Sequence, residues 1–218
     1  MNRHNGAMVN ACNMESVPLV EMEHGTWSRF PAVLLRYYQY LDGIDDDLTR
    51  PLPNAIAVWG TYMRDLLKRW KYPQDRIAVT GYPAYDRLNH LDSSQVRRFA
   101  EEVGLDPAKK TIVYMTGNPW MELYQTSQEQ VETARVLLQA VKALPDVHLV
   151  IKAHQYDDVD SYLRLQTELG AESSSLVLQR CDTTLLIAAS DAIIAKGSST
   201  LLEAAIAGKP VIMFNFSN

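Results

Sequence analysis

Three short stretches place polar and titratable side chains where a turn of the backbone would present them. In Gly197-Ser198-Ser199-Thr200 a glycine and hydroxyl residues precede an apolar helical run that stops at Gly208. A helix beginning there offers unpaired backbone N–H groups, hydroxyls and the positive end of its dipole. That combination suits a phosphate or diphosphate. Ordinary capping uses neighbouring donors: Thr200-x-x-Glu203 fits a capping box, worth about 1 kcal/mol, and both uses can coexist. Glu203 has two readings, a bond back to the Thr200 N–H or acceptance from two ribose hydroxyls. Lys196 adds a positive charge just ahead of the turn.

His154 ends Ile151-Lys152-Ala153-His154. An imidazole there can donate to a diphosphate or act as a general acid; the plainer reading is a loop histidine bonded to water. Lys152 lies two residues earlier, on the same side if the strand continues. His24 stands in Glu23-His24-Gly25-Thr26, where Gly25 permits a tight turn. It could take a proton from an acceptor hydroxyl, or simply serve the turn. Gly117-Asn118-Pro119 and Gly81-Tyr82-Pro83 are turns on the same functional edge. No second histidine sits at ligand spacing from Glu21, Glu23 and His24, and Asp45-Asp46-Asp47 reads as a solvated loop. Neither a metal nor a resident cofactor is expected.

These residues need elements to hold them. Strands are expected over 17–22, 55–59, 76–80, 111–115, 148–152, 176–178, 192–195 and 211–214. Helices are expected over 30–41, 62–70, 95–103, 128–143, 158–169, 185–189 and 200–207. Strands alternating with helices at this spacing imply βαβ units, a parallel sheet, and post-strand loops on one edge. The expected organisation is an α/β N-terminal domain over 1–91, a linker helix and hinge over 92–110, and a Rossmann-like domain over 111–218. The end at Asn215-Phe216-Ser217-Asn218, directly after a strand, reads as a fragment.

Composition narrows the function. The 218 residues are 47% apolar and 22% charged, with net charge −5 and no basic run, which argues against broad nucleic-acid binding. Two distant cysteines, Cys12 and Cys181, give no disulfide framework and fit a reducing cytoplasm. There is no apolar run of membrane-spanning length and no apolar signal core after Met1; peripheral contact with a membrane surface stays open. GxGxxG, GxxxxGK[ST] and GxSxG are all absent, which lowers dehydrogenase, NTPase and hydrolase readings.

The run from Ala189 to Ile212 resembles the donor-site segment of GT-B glycosyltransferases. It is most similar to the branch holding UDP-N-acetylglucosamine 2-epimerases and CDP-glycerol glycerophosphotransferases. The segment Arg76 to Leu88 resembles the stretch closing the N-terminal domain in that branch. Glu23-His24-Gly25-Thr26 resembles the His-Gly-Thr of the glycerophosphotransferases, and Ile151 to His154 their second histidine motif, with Gln155 where a proline is usual. Lys196-Gly197-Ser198-Ser199 differs from the Asp-Tyr-Ser-Ser and Asp-Ser-Gly-Gly of the two groups. The resemblance implies two Rossmann-like domains, the first truncated, with a donor in the cleft between them. It implies His24 as acceptor-activating base and His154 as donor-phosphate contact. Lys196 to Thr200 would form the phosphate loop and Glu203 the ribose contact, with Gly25, Thr26, Gly117 and Asn118 nearby. The implied partners are a nucleotide-sugar or CDP-polyol donor and a glycan or lipid-linked acceptor. The implied activity is transfer to a hydroxyl in surface or capsular polysaccharide synthesis, in the cytoplasm or at the inner membrane face. The alternatives are a UDP-sugar 2-epimerase and a truncated, inactive nucleotide-binding module.

Overall fold

The computed structural model describes residues 3–23, 52–69, 72–117, 126–196 and 198–214. The expected helix over 30–41 lies outside them. Contacts divide the chain into Met1–Pro83 and Ala84–Asn218, earlier than the boundary after residue 91 read from sequence.

Among its described residues the first unit holds three parallel strands, β1 (Val20–Met22), β2 (Ala55–Val58) and β3 (Ile77–Val79), in that spatial order. Helix α1 (Arg3–Met14) precedes them and α2 (Thr61–Arg69) joins β2 to β3. Met63 and Leu67, four residues apart on one face of α2, pack with Ile56, Val58 and Tyr72. Helix α1 was not expected from the sequence. Of its described side chains only Val9 is buried, so it lacks the apolar stripe that marks a helix in sequence.

The second unit begins with α3 (Pro83–Asn89) and α4 (Ser93–Val103). Asp92 and Gln95 form a capping box on α4, and Gly104 closes it at φ +81°, a conformation that favours glycine. Helix α4 lies in the 92–110 stretch read as linker and hinge, but its Phe99, with Leu105, belongs to the second unit's core. Then follow β4 (Lys110–Met115), α5 (Ser127–Lys142), β5 (Val147–Lys152), α6 (Val159–Glu168), β6 (Ser175–Leu178), α7 (Thr183–Ala189), β7 (Ala192–Ala195), α8 (Ser199–Ile206) and β8 (Val211–Met213). All five strands are parallel, in the order β6-β5-β4-β7-β8. Helices cover both faces. Tyr114, Leu149 and Ile151 pack with Leu138 of α5 and Leu165 of α6. On the other side Val113, Met115 and Val150 pack with Phe99 of α4, Leu186 of α7 and Ala204 of α8. The chain moves outward from β4 to β6, then returns to the far side of β4 with β7. The carboxyl ends of β4 and β7 therefore flank the switch point where open α/β sheets bind ligands.

Truncating Leu149, which is fully buried, should lower unfolding stability by about 2–5 kcal/mol, whereas Leu163→Ala, exposed on α6, should change it by less than about 0.5 kcal/mol. Urea denaturation of each variant measures both. His148 on β5 supplies a pH test. Burial lowers its pKa, and its Nδ1 has no hydrogen-bond partner among the described residues. The unfolded chain therefore takes up a proton first as pH falls below 6.5, and this contribution to stability is lost in that direction. The urea midpoint should fall between pH 7.5 and 5.5, and His148→Gln should flatten that fall.

Candidate functional site

Residues from four post-strand segments meet in one pocket of about 230 Å³ at the carboxyl edge of the second sheet. Met115 and Thr116 come from β4, Lys152 to Gln155 from β5, Thr183 from the start of α7, and Ser198 and Thr200 from the start of α8. The hydroxyl turn and the imidazole expected from sequence, about 40 residues apart, thus face one cavity.

Helix α8 begins with a neutral hydroxyl cap. Ser198 is its N-cap, and the Ser198 hydroxyl accepts from the Thr200 N–H at 3.2 Å and from the Thr200 hydroxyl at 2.7 Å. Here one sequence expectation is corrected. Thr200 sits inside the first turn rather than at the cap, and its N–H goes to Ser198, so the Thr200-x-x-Glu203 capping box does not form. The Glu203 side chain is half-buried with no hydrogen-bond partner among the described residues, and burial raises its pKa.

The β5 end is tightly bonded. The His154 N–H donates to Thr116 Oγ1 at 2.7 Å and to Asp157 Oδ2 at 3.0 Å. Burial lowers the His154 pKa, with Asp157 opposing and Lys152 adding to that shift. Lys152 Nζ donates to the carbonyls of Gln179, at 2.7 Å, and Ala153, at 3.1 Å, which ties its ammonium to the backbone beside the pocket. Lys196 directly follows β7, and its charge helps hold the Glu129 carboxyl below its usual range, after the larger effect of the Thr126 N–H. Glu129 also forms a capping box with Thr126, so the first turn of α5 is closed by its own carboxylate. Gly117, just past β4, donates its N–H to Gln130 Oε1 at 3.0 Å.

In the first unit, Glu23 is buried at the end of β1. Its carboxylate accepts the Trp59 N–H at 2.7 Å, and its carbonyl accepts the Trp59 indole N–H at 2.8 Å. Trp59 stacks on Tyr82 at 4.3 Å between ring centroids. This fixes the strand end that leads into His24. His24 itself, with Gly25, Thr26, Asn118 and Gly197, lies outside the described residues. Among the described residues no group of three His, Cys, Asp or Glu side chains is placed to hold a metal ion, and no helix is long and apolar enough to cross a membrane. Sequence reasoning missed Thr116, Asp157, Gln179 and Thr183. Only Thr116, directly after a strand and before a glycine, carried any local signal.

If Glu203 capped the helix, Glu203→Gln would cost up to about 1 kcal/mol. Its raised pKa implies the reverse at neutral pH, because an ionised, half-buried carboxylate with no partner among the described residues opposes folding, and this cost lifts as pH falls through the folded-state pKa. The variant should keep or raise the urea midpoint at pH 7, and a clear drop there would restore the capping reading.

A family model described as UDP-N-acetylglucosamine 2-epimerase matches residues 53–215, well over half of the chain. No curated protein sequence matches significantly. Among solved structures, the UDP-GlcNAc 2-epimerase from Neisseria meningitidis bound to UDP-GlcNAc aligns at TM-score 0.68 and 17% identity, over 98% of this chain and 57% of that one. The S. aureus MnaA–UDP co-structure aligns at TM-score 0.66 and 15% identity, over 96% and 54%. The wall teichoic acid polymerase TagF soaked with CDPG aligns at TM-score 0.56 and 19% identity, over 74% and 38%. The chain spans about half the length of such structures or less. The shared architecture is the GT-B type, with parallel-sheet α/β units.

Proposed function

The chain belongs to the UDP-N-acetylglucosamine 2-epimerase family, and from that premise we propose that its second unit binds the diphosphate of a nucleotide-activated donor. The observation that carries this reading is the single pocket lined by His154 and by Ser198 and Thr200 at the α8 N-terminus. In this reading Gly197 to Thr200 present donors to the phosphates, Lys196 adds charge, His154 donates from the facing loop, and Glu203 accepts from the ribose hydroxyls. The first turn of α5 is closed by Glu129, whereas among the described residues no carboxylate closes the first turn of α8, which supports α8 as the end that receives the anion.

The reaction proposed is transfer of a glycosyl or glycerophosphoryl group to a hydroxyl of a glycan or lipid-linked acceptor, in surface polysaccharide synthesis on the cytoplasmic side. In this reading His24 takes the acceptor proton, and Gly25, Thr26, Gly117 and Asn118 are assigned as further binding residues. Helix donors and His154, rather than a metal, stabilise the leaving nucleotide. A second reading, 2-epimerisation of a UDP-sugar, is favoured by the description of the matching family. Incubation with UDP-N-acetylglucosamine separates them. A UDP-linked epimer supports the second reading, released UDP with an extended acceptor supports transfer, and binding without turnover makes this chain a nucleotide-binding module only.

Calorimetry should detect binding of UDP, CDP or GDP that persists in EDTA. Removing one donor to a charged phosphate costs about 1.5–3 kcal/mol, so His154→Ala and Ser198→Ala should each weaken binding about tenfold or more. Absence of binding by all three nucleotides would contradict the donor-site reading.

A further inference from the structure

His154 stands on a loop, and loops do not hold an imbalance of polar groups without partners. Asp157, three residues further on, supplies them. One carboxylate oxygen, Oδ2, is the common acceptor for the Thr116 hydroxyl at 2.5 Å, the His154 N–H at 3.0 Å and the Tyr162 hydroxyl at 3.3 Å. Those donors come from the end of β4, the end of β5 and the first turns of α6. The far side of the same loop is held by Gln179, whose Nε2 donates to the carbonyls of His154, at 3.0 Å, and Asp157, at 3.1 Å. Both the N–H and the C=O of His154 are therefore fixed. The Tyr156 N–H reaches His154 Nδ1 at 3.4 Å. A neutral imidazole that accepts at Nδ1 carries its proton on Nε2, which makes it a donor there.

We propose that Asp157 is the positioning residue of this site: it fixes the His154 loop so that the imidazole lines the pocket as an Nε2–H donor. A free carboxylate beside a diphosphate would repel it. Asp157 does not line the pocket, and its charge is directed at three donors behind the loop, so it orders the site without opposing the anion. The charged groups bearing on His154 are Asp157 and Lys152. The α7 and α8 residues lining the pocket, Thr183, Ser198 and Thr200, are uncharged. The role in nucleotide binding rests on the donor-site reading above, whereas the effect on the imidazole does not.

The test follows the ring nitrogens of His154 by 15N NMR and UDP affinity by calorimetry, in the whole chain and three variants. Asp157→Asn keeps the shape and removes the charge. It should lower the His154 pKa and weaken UDP binding several-fold. Asp157→Ala should also abolish the single-tautomer signal and weaken binding at least tenfold. Arg135→Gln breaks the Arg135–Glu168 pair between α5 and α6 without touching the loop, so it should change stability while leaving tautomer, titration and affinity as in the parent. If Asp157→Ala does not fold, Asp157→Asn still decides. An imidazole with the same tautomer and titration in Asp157→Asn as in the parent would overturn the proposal. A tautomer that depends on Asp157 in a chain that binds no UDP would uphold the positioning role and refute the donor site.

Discussion

The pairing of β4 with β7 is the contact on which the site depends. The two strands are some 80 residues apart in sequence, and only their adjacency brings the end of β4 beside the first turn of α8. Asp191 sets the register at the start of the pair. Its carboxylate accepts the Thr111 N–H at 2.9 Å and meets Lys110 Nζ at 2.9 Å, while its own N–H donates to the Thr111 carbonyl at 2.7 Å. From there Ile112 pairs with Ala192, Val113 with Ile193 and Tyr114 with Ile194. A slip of one residue would turn Val113 toward the α5 and α6 side and Tyr114 toward the other, exchanging side chains fitted to different helices. Lys209 secures the neighbouring end of α7, where its ammonium donates to the carbonyls of Ala188 and Ser190.

Given that topology, parallel pairing sends every strand's carboxyl end to one edge, where the polar groups accumulate. The chain as a whole is acidic, so attraction for an anion has to be local. Of the helices that start at this edge, α5 is stoppered by Glu129, whereas α8 is capped by a neutral hydroxyl. Lys152, a cation bordering the pocket, is tied to two carbonyls. The positive character available to a ligand therefore concentrates at the α8 turn and the imidazole opposite it, an arrangement set by dipoles and hydrogen bonds more than by free charge.

Much of this was legible in the sequence where a local rule and the tertiary fold agree. The β7–turn–α8–β8 run was found because an apolar strand, a hydroxyl cap and a glycine stop each carry their own signal, and α4 because Asp92 and Gly104 mark its ends. Four things were not legible. Helix α1 buries too little for a periodic pattern, and α3 begins at Pro83, within a stretch that reads as a turn. The Glu203 capping box had the right spacing and the wrong phase: the cap is Ser198 rather than Thr200, and the Ser198 hydroxyl takes the Thr200 N–H that the motif assigns to the Glu203 carboxylate. Asp157 and Gln179 escaped notice because their partners lie on other strands, and no spacing along the chain records such a contact.

The central claim is that the α8 turn and the His154 loop grip one anion together. Backbone amide NMR of the chain titrated with UDP addresses this directly. Amides of Ser199, Thr200 and His154 should shift along a common saturation curve, with those lining the separate depression near His90 and Arg98 unmoved. Saturable shifts at the α8 turn without the His154 loop, or confined to that other depression, would contradict the account.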